Sequence, residues 1–319
     1  MVDLILGMTH EVWEERRVDR LHDYLHPDCV IRSLAGTVEG VPTVVRDTWA
    51  MLGCFPDRLQ LGDAVVWQRR GADSFHTSHR ITSLMTHLGP GLYGPPTGRR
   101  VEVIAIADCD VEDGLIAREW LARDNFSLLR QLGQDPRLQA RALAAGSADP
   151  RHQDWLAAEH ARVRATADGS ADAAVGWADE APLEFAGAVL ANAWRHGRSR
   201  TFASHYQPYA VLHESRPVAS GRAEIERRCA AMRRTFRDVA LSVDHVSVRS
   251  DGDDARQVAA RWSLAARHDG EAWGIAPTGR EVYLFGMTHW KLVAGRIAAE
   301  WSVFDRLGVL VQLFRPALR

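Results

Sequence analysis

The sequence predicts an α+β fold built twice, and three observations predict it. The chain repeats itself at one constant spacing. Each repeat opens with helical patterning and continues as a series of strand-like runs. Turn signals separate those runs at hairpin distances. Trp13, Gly40, Arg80, His87, Gly98, Glu119, Trp120, Asp124 and Gln131 recur 181 residues later, without a gap, as Trp194, Gly221, Arg261, His268, Gly279, Glu300, Trp301, Asp305 and Gln312. One long, constant period marks a duplicated domain rather than a solenoid, whose units are far shorter. A chain of 319 residues is long enough for two domains, each with its own core. The expected divisions are a first domain over 1–134, a partly helical linker over 135–181 and a second domain over 182–319.

Along the first repeat, residues 8–24 read as a helix containing Trp13. Residues 41–54 read as a second helix after Gly40, with Val44, Val45, Thr48 and Leu52 near helical spacing. Four strand-like runs follow, over 59–68, 73–87, 99–111 and 115–123. Arg70-Gly71, Gly94-Pro95-Pro96 and Asp113-Gly114 punctuate them. Asp-Gly between two strand-like runs is a strong hairpin signal. Helices followed by a meander of strands imply a curved antiparallel sheet with the N-terminal helices on one face and a pocket between the two layers. In the linker, 137–146 and 155–167 are rich in good helix formers, and Asp168–Ala174 reads as a loop.

Composition narrows the function classes. The chain is 46% hydrophobic and 25% charged, with a formal net charge of −2, so it lacks the basic footprint of a nucleic-acid or anionic-membrane binder. Eleven tryptophans suggest aromatic-lined interiors. Cys29, Cys54, Cys109 and Cys229 fall asymmetrically across the repeats and form no CxxC pair, which predicts reduced, buried thiols. With no leader-like start and no apolar stretch of bilayer length, the expected location is the cytoplasm. There is no HExxH, Cys/His cluster, P-loop, dinucleotide fingerprint or GxSxG elbow, so neither metal nor cofactor is expected.

Two segments carry a family resemblance. Repeat one runs THLGPGLYGPPTGRRVEV, then GLIAREW, then Asp124 and QLG. Repeat two runs RHDGEAWGIAPTGREVYL, then GRIAAEW, then Asp305 and QLF. Both resemble the SnoaL-like polyketide cyclase family, within the nuclear transport factor 2-like fold. The resemblance covers the C-terminal half of each repeat well, and the helical half in pattern alone. It implies two domains of that fold, and an acidic residue at the position of Asp124 and Asp305 acting as acid or base on an activated carbon. The fold hosts many functions, so function must be argued from the site.

Strand alternation from Ile116 places Trp120, Ala122 and Asp124 on one face, and the equivalent face of repeat two holds Trp301, Val303 and Asp305. A carboxylate extending an apolar face is partly desolvated and becomes a better base near neutral pH. Alternatively, each aspartate caps the helix that follows. His87 and His268 are candidate acid–base partners, or residues that shape the turn. His289, whose counterpart is Asp108, is a third candidate, or a histidine at a domain interface or on the outer face. His79, Arg80, Arg261, Trp120, Trp301 and Trp262 are candidate substrate contacts. The arginines alternatively bridge neighbouring strands, with Glu119 and Glu300 as partners on the opposite face from the aspartates.

The expected function is Asp/His acid–base chemistry on a small or medium carbonyl compound: cyclisation, isomerisation, dehydration or hydration. The alternative is a non-catalytic protein that binds a small molecule in one or both pockets. Only one pocket is expected to bind the physiological substrate well. The expected partners are a small-molecule substrate and no nucleic acid or membrane. The two halves are expected to form an internal pseudo-dimer, with further homo-oligomerisation left open.

Overall fold

The computed structural model describes residues 1–166, 182–214, 218–250 and 255–315. The expected loop at Asp168–Ala174 lies outside them. The chain divides into two compact units. The first is Met1–Ala142 with Asp305–Leu307, and the second is Leu143–Phe304 with Gly308–Arg319.

In the first unit, α1 (Val2–Trp13) is followed by a 3₁₀ turn at Val18–Arg20 and by α2 (Leu21–Tyr24). The single helix expected over 8–24 is therefore broken. Near the break Arg16 takes a left-handed backbone (φ 61°), and its guanidinium donates to the carbonyls of Pro56 and Arg58. Next come β1 (Leu25–Ser33), β2 (Gly36–Glu39) and α3 (Val41–Cys54), which starts after Gly40 with a proline in its first turn. The meander is β3 (Leu59–Arg69), β4 (Ser74–Thr86), β5 (Arg100–Glu112) and β6 (Leu115–Arg123). Then follow α4 (Asn125–Gln131) and α5 (Pro136–Ala145).

The strands form one sheet in the order β2-β1-β6-β5-β4-β3. The sheet is mixed rather than wholly antiparallel, because β1 runs parallel to β6 (Leu25↔Ile116, Val30↔Arg118). Alternation shows which residues share a face but carries no information about the direction of a remote partner, so this pairing could not be anticipated. The β5–β6 hairpin turns at Asp113-Gly114, both at positive φ (49° and 80°), as a two-residue turn matched to strand twist requires. Ile5, Val12, Val44, Val65 and Ile116 belong to the core between helices and sheet.

The second unit has the same plan. α6 (Pro150–Ala165) precedes α7 (Pro182–Ala191), a π-turn at Asn192–His196 and α8 (Ser199–His205). Then come β7 (Tyr206–His213), β8 (Ala219–Ser220), α9 (Arg222–Thr235), β9 (Phe236–Ser250), β10 (Ala255–His268), β11 (Glu281–Val293), β12 (Arg296–Phe304) and α10 (Arg306–Phe314). The sheet order is β8-β7-β12-β11-β10-β9, with β7 parallel to β12. α6 packs on β9, β10 and β11, where Arg162 pairs with Asp244 and Arg164 with Glu281. Among the described residues no helix is long and apolar enough to cross a membrane.

Candidate active site

A local irregularity in β6 decides which side chains face the interior of the first unit. Asp110 pairs with Arg118, but the next residue, Val111, pairs with Ile116, so β6 carries one extra residue between them. A bulge of this kind exchanges the faces of everything beyond it. Ile116 points into the core, and so do Glu119, Leu121 and Arg123, which line a cavity between sheet and helices. Extrapolation from Ile116 by strict alternation gives the opposite face. The cavity has a volume of about 400 Å³. Its wall is mostly apolar, with Ile5, Leu21, Val44 and Ile81 among its residues; Arg58, Gln60, His79, Glu119 and Arg123 are set into it, together with Thr9, Thr48 and Asp47, whose charge Arg46 balances at 3.0 Å.

Each of these polar groups has a distinct electrostatic state. Burial pushes the Glu119 carboxyl up to about 7, against a smaller opposing pull from Arg123. Among the described residues no hydrogen bond reaches that carboxylate. Arg58 is only 2% exposed. Its Nη2 donates to Ser83 Oγ (3.1 Å), and its guanidinium lies over the Trp13 ring, 4.3 Å from the centroid. With its amide turned to satisfy both neighbours, Gln60 accepts from Trp13 Nε1 (3.0 Å) and Arg58 Nη2 (3.2 Å). Arg58 Nε and Nη1 have no partner among the described residues, and neither does Arg123 Nε. Burial, reinforced by the neighbouring Arg123 charge, lowers Arg58 to about 9. Burial, then Arg80, lowers His79 to about 4, so its imidazole is neutral at pH 7. Its buried Nε2 lacks a partner among the described residues, so it offers the cavity a donor or an acceptor according to tautomer. Burial raises the Cys29 and Cys109 thiols, which stay protonated.

Of the residues singled out from the sequence, His79 lines this cavity. Asp124 does not. It is 3% exposed, accepts from Ser127 N (3.1 Å) as the N-cap of α4, and takes a second hydrogen bond from Arg306, which groups with the first unit. Asp305 likewise accepts from Leu307 N (3.1 Å) and from Asn125 Nδ2 (3.0 Å). His87 and His268 sit at hairpin ends, with Nδ1 against Thr97 Oγ1 (3.3 Å) and Thr278 Oγ1 (3.1 Å). Each also exchanges backbone hydrogen bonds across its turn. Burial lowers the pKa of both. Arg80 and Trp120 lie on the strand face opposite the cavity, where Arg80 Nε approaches Asp63 at 3.8 Å. In the second unit, Arg261, His289 and Trp301 take the equivalent outer-face positions, with Trp301 stacked on His213 at 4.8 Å.

Trp262 faces inward and shows what separates the two copies. At the 181-residue spacing Ile81 becomes Trp262, Cys109 becomes Trp290 and Arg123 becomes Phe304, while Arg58, Gln60 and His79 become Val239, Leu241 and Ala260. Trp194 packs at 5.3 Å on Trp262 and at 5.6 Å on Phe304, so an aromatic cluster stands where the first copy has Ile81 and Arg123. Glu300, the counterpart of Glu119, is also raised to about 7 by burial, but here the Tyr206 hydroxyl donates to it and the Trp290 indole lies alongside. The first copy has Leu25 and Cys109 at those two positions, which leaves Glu119 without the hydroxyl donor its twin has. Sequence reasoning missed Arg58, Gln60 and Arg123, and read Glu119 as a salt-bridge residue. The available signal was the contrast between polar residues in one copy and apolar residues in the other.

Among the described residues no group of three or more His, Cys, Asp or Glu side chains is placed to hold a metal ion. The chain was compared with known proteins. The SnoaL-like polyketide cyclase family model matches residues 3–132 and again 186–313. IdmH of Streptomyces antibioticus, a proposed polyketide cyclase, is 26% identical over 41% of this chain and 97% of its own, with a TM-score of 0.36. A proposed SnoaL-like polyketide cyclase from Jannaschia sp. CCS1 is 20% identical over 41% and 92%, with a TM-score of 0.36. A nuclear transport factor 2-like superfamily protein from Salmonella enterica serovar Typhimurium LT2 is 15% identical over 40% and 89%, with a TM-score of 0.34. None of the curated proteins matches the chain. Two matches to one family model, each spanning the helices and sheet of one repeat, establish that the chain belongs to the SnoaL-like polyketide cyclase family, as two α+β domains in tandem.

Proposed function

We propose that the first domain is an acid–base catalyst that moves a proton at a carbon next to a carbonyl, with Glu119 as the proton-transfer group. One observation carries this reading: a carboxyl raised to about 7, without a hydrogen-bond partner among the described residues, lines an apolar cavity. A base works best when its pKa lies near the working pH, and burial without compensating donors supplies that shift. His79 is neutral and can donate to, or accept from, a substrate oxygen. Cyclisation, isomerisation and dehydration all begin with such a proton transfer. Family membership makes polyketide-like aryl ketones and β-ketoesters the first compounds to test. The second domain, with aromatic rings where the first has its polar cavity residues, serves the fold rather than turnover.

The test is proton–deuterium exchange at the α-carbon of aryl methyl ketones and β-ketoesters, followed by NMR with the full chain. Wild-type protein should accelerate exchange, with a rate that rises through about pH 7 as Glu119 ionises. Glu119→Gln should lower the rate roughly 10²- to 10⁴-fold, the usual contribution of a positioned acid or base. Binding without exchange would turn the reading into a ligand-binding protein. An unchanged rate in Glu119→Gln would remove Glu119 from the chemistry.

A further inference from the structure

We propose that Arg58 and Arg123 form an anion receptor in the first domain's cavity, and that its ligand is an aromatic or aliphatic monocarboxylate. The proposal deepens the catalytic reading and rests on the same cavity being the substrate site.

A guanidinium withdrawn from water needs a counter-charge and a full set of acceptors. Arg58 has neither. Its two side-chain acceptors, Ser83 Oγ and Gln60 Oε1, are neutral and occupy one nitrogen, while Nε and Nη1 remain unused. Its charged neighbours are the wrong sign, because Arg123 and Arg16 both disfavour its cation and only the Tyr93 phenol opposes them. Arg123 keeps a contact with that phenol and has its own unused Nε. Neither arginine forms an ion pair with a carboxylate among the described residues. Two adjacent cations with unused donors on one cavity wall have the form of a site completed by its ligand.

The duplication supplies an internal control. If the fold needed these arginines, the second copy would keep them, yet Val239 and Phe304 stand in their places. Gln60, which orients Arg58, and His79 are lost with them, to Leu241 and Ala260. The polar set is therefore present in the copy whose cavity it lines and replaced by apolar and aromatic side chains in the other.

Charge balance selects the ligand class. Two guanidiniums beside a carboxyl that is half ionised near pH 7 carry between one and two positive charges. With Glu119 ionised, the state in which it can act as a base, a monocarboxylate brings the cavity to neutrality, whereas a phosphomonoester dianion overshoots. A carboxylate also matches the planar, forked donor geometry of arginine, and the apolar wall receives the rest of the molecule.

The test compares sodium 2-naphthoate, methyl 2-naphthoate and inorganic phosphate by calorimetric titration of the full chain. Quenching of Trp13, on which Arg58 lies, gives a second readout. The acid should bind about tenfold to a hundredfold more tightly than its ester, the range for charge-assisted hydrogen bonds, and phosphate should not compete. Arg58→Met should abolish the preference for the acid over the ester, and Arg58→Lys should restore part of it. Equal affinities for acid and ester in the wild type would overturn the proposal, as would tight phosphate binding or a preference that survives Arg58→Met. If Arg58→Met does not fold, the wild-type comparison and Arg123→Leu decide on the same criterion. Glu119→Gln separates the two readings. It should lower exchange by the same roughly 10²- to 10⁴-fold and retain the preference for the acid, so selective binding without exchange in the wild type refutes only the catalytic reading, and exchange without selectivity refutes only this one.

Discussion

Glu300→Gln should stabilise the second domain in alkaline solution and have much less effect in mild acid. Glu300 is buried, and its carboxyl is raised from the ordinary 4.5 to about 7, chiefly by desolvation. The native protein therefore holds this proton more tightly than the unfolded chain. Between those two values the native state binds more protons, so stability falls as pH rises through the window and levels off above it. At 1.36 kcal/mol per pKa unit, a shift of this size costs about 3 kcal/mol well above pH 7 and about 1 kcal/mol near pH 5. Glutamine removes the titration yet keeps an oxygen to accept from the Tyr206 hydroxyl. Urea denaturation of wild type and variant, followed by tryptophan fluorescence at about pH 5 and about pH 8.5, should show the variant gaining roughly 2 to 3 kcal/mol relative to wild type between the two conditions. Any constant offset from the substitution cancels in that difference, as does the titration of Glu119. A stability difference that is the same at both pH values would mean that Glu300 does not titrate in this window, and the burial argument would fail for Glu119 as well.

The other predictions concern the site and its supports. Ile81→Trp, which places the second copy's ring in the first domain, should block naphthoate binding by filling the cavity, with folding checked by circular dichroism. Gly286→Ala should destabilise the second domain by about 1 to 3 kcal/mol in urea, because a methyl group there would lie 2.4 Å from the buried Trp262 ring and 2.9 Å from the Val303 carbonyl. Asp124→Asn keeps the cap of α4 but strips Arg306 of its partner, so stability should fall by about 3 kcal/mol. Exchange activity per folded molecule should stay within about twofold of wild type in that variant, and a loss on the general-base scale of 10² or more would return the catalytic role to Asp124.

Local and repetitive features were legible in the residues themselves. The 181-residue recurrence required only comparison of the chain with itself. The hairpin at Asp113-Gly114 is specified by two residues that tolerate positive φ. α3 starts where Gly40 and Pro42 place it. These signals survive because their physics is confined to a few neighbours. The family resemblance also held, since the family model matches both repeats.

What only the tertiary structure decided was anything that depends on a remote partner. The strand β1 pairs parallel to β6 across some ninety residues, and no local pattern records that direction. The extra residue between Ile116 and Arg118 reverses the faces of β6, turning Glu119 and Arg123 inward and leaving Asp124 to cap α4. A bulge is a mismatch between two strands, so neither strand shows it alone. The same holds for Glu119 itself. Its recurrence with Glu300 was visible, but its chemistry follows from a tyrosine donor present beside one copy and replaced by leucine beside the other. The sequence by itself determined that one fold was made twice. The packing around each copy decided the surroundings of its buried glutamate, because burial and pairing set a side chain's charge state and both depend on neighbours far away in the chain.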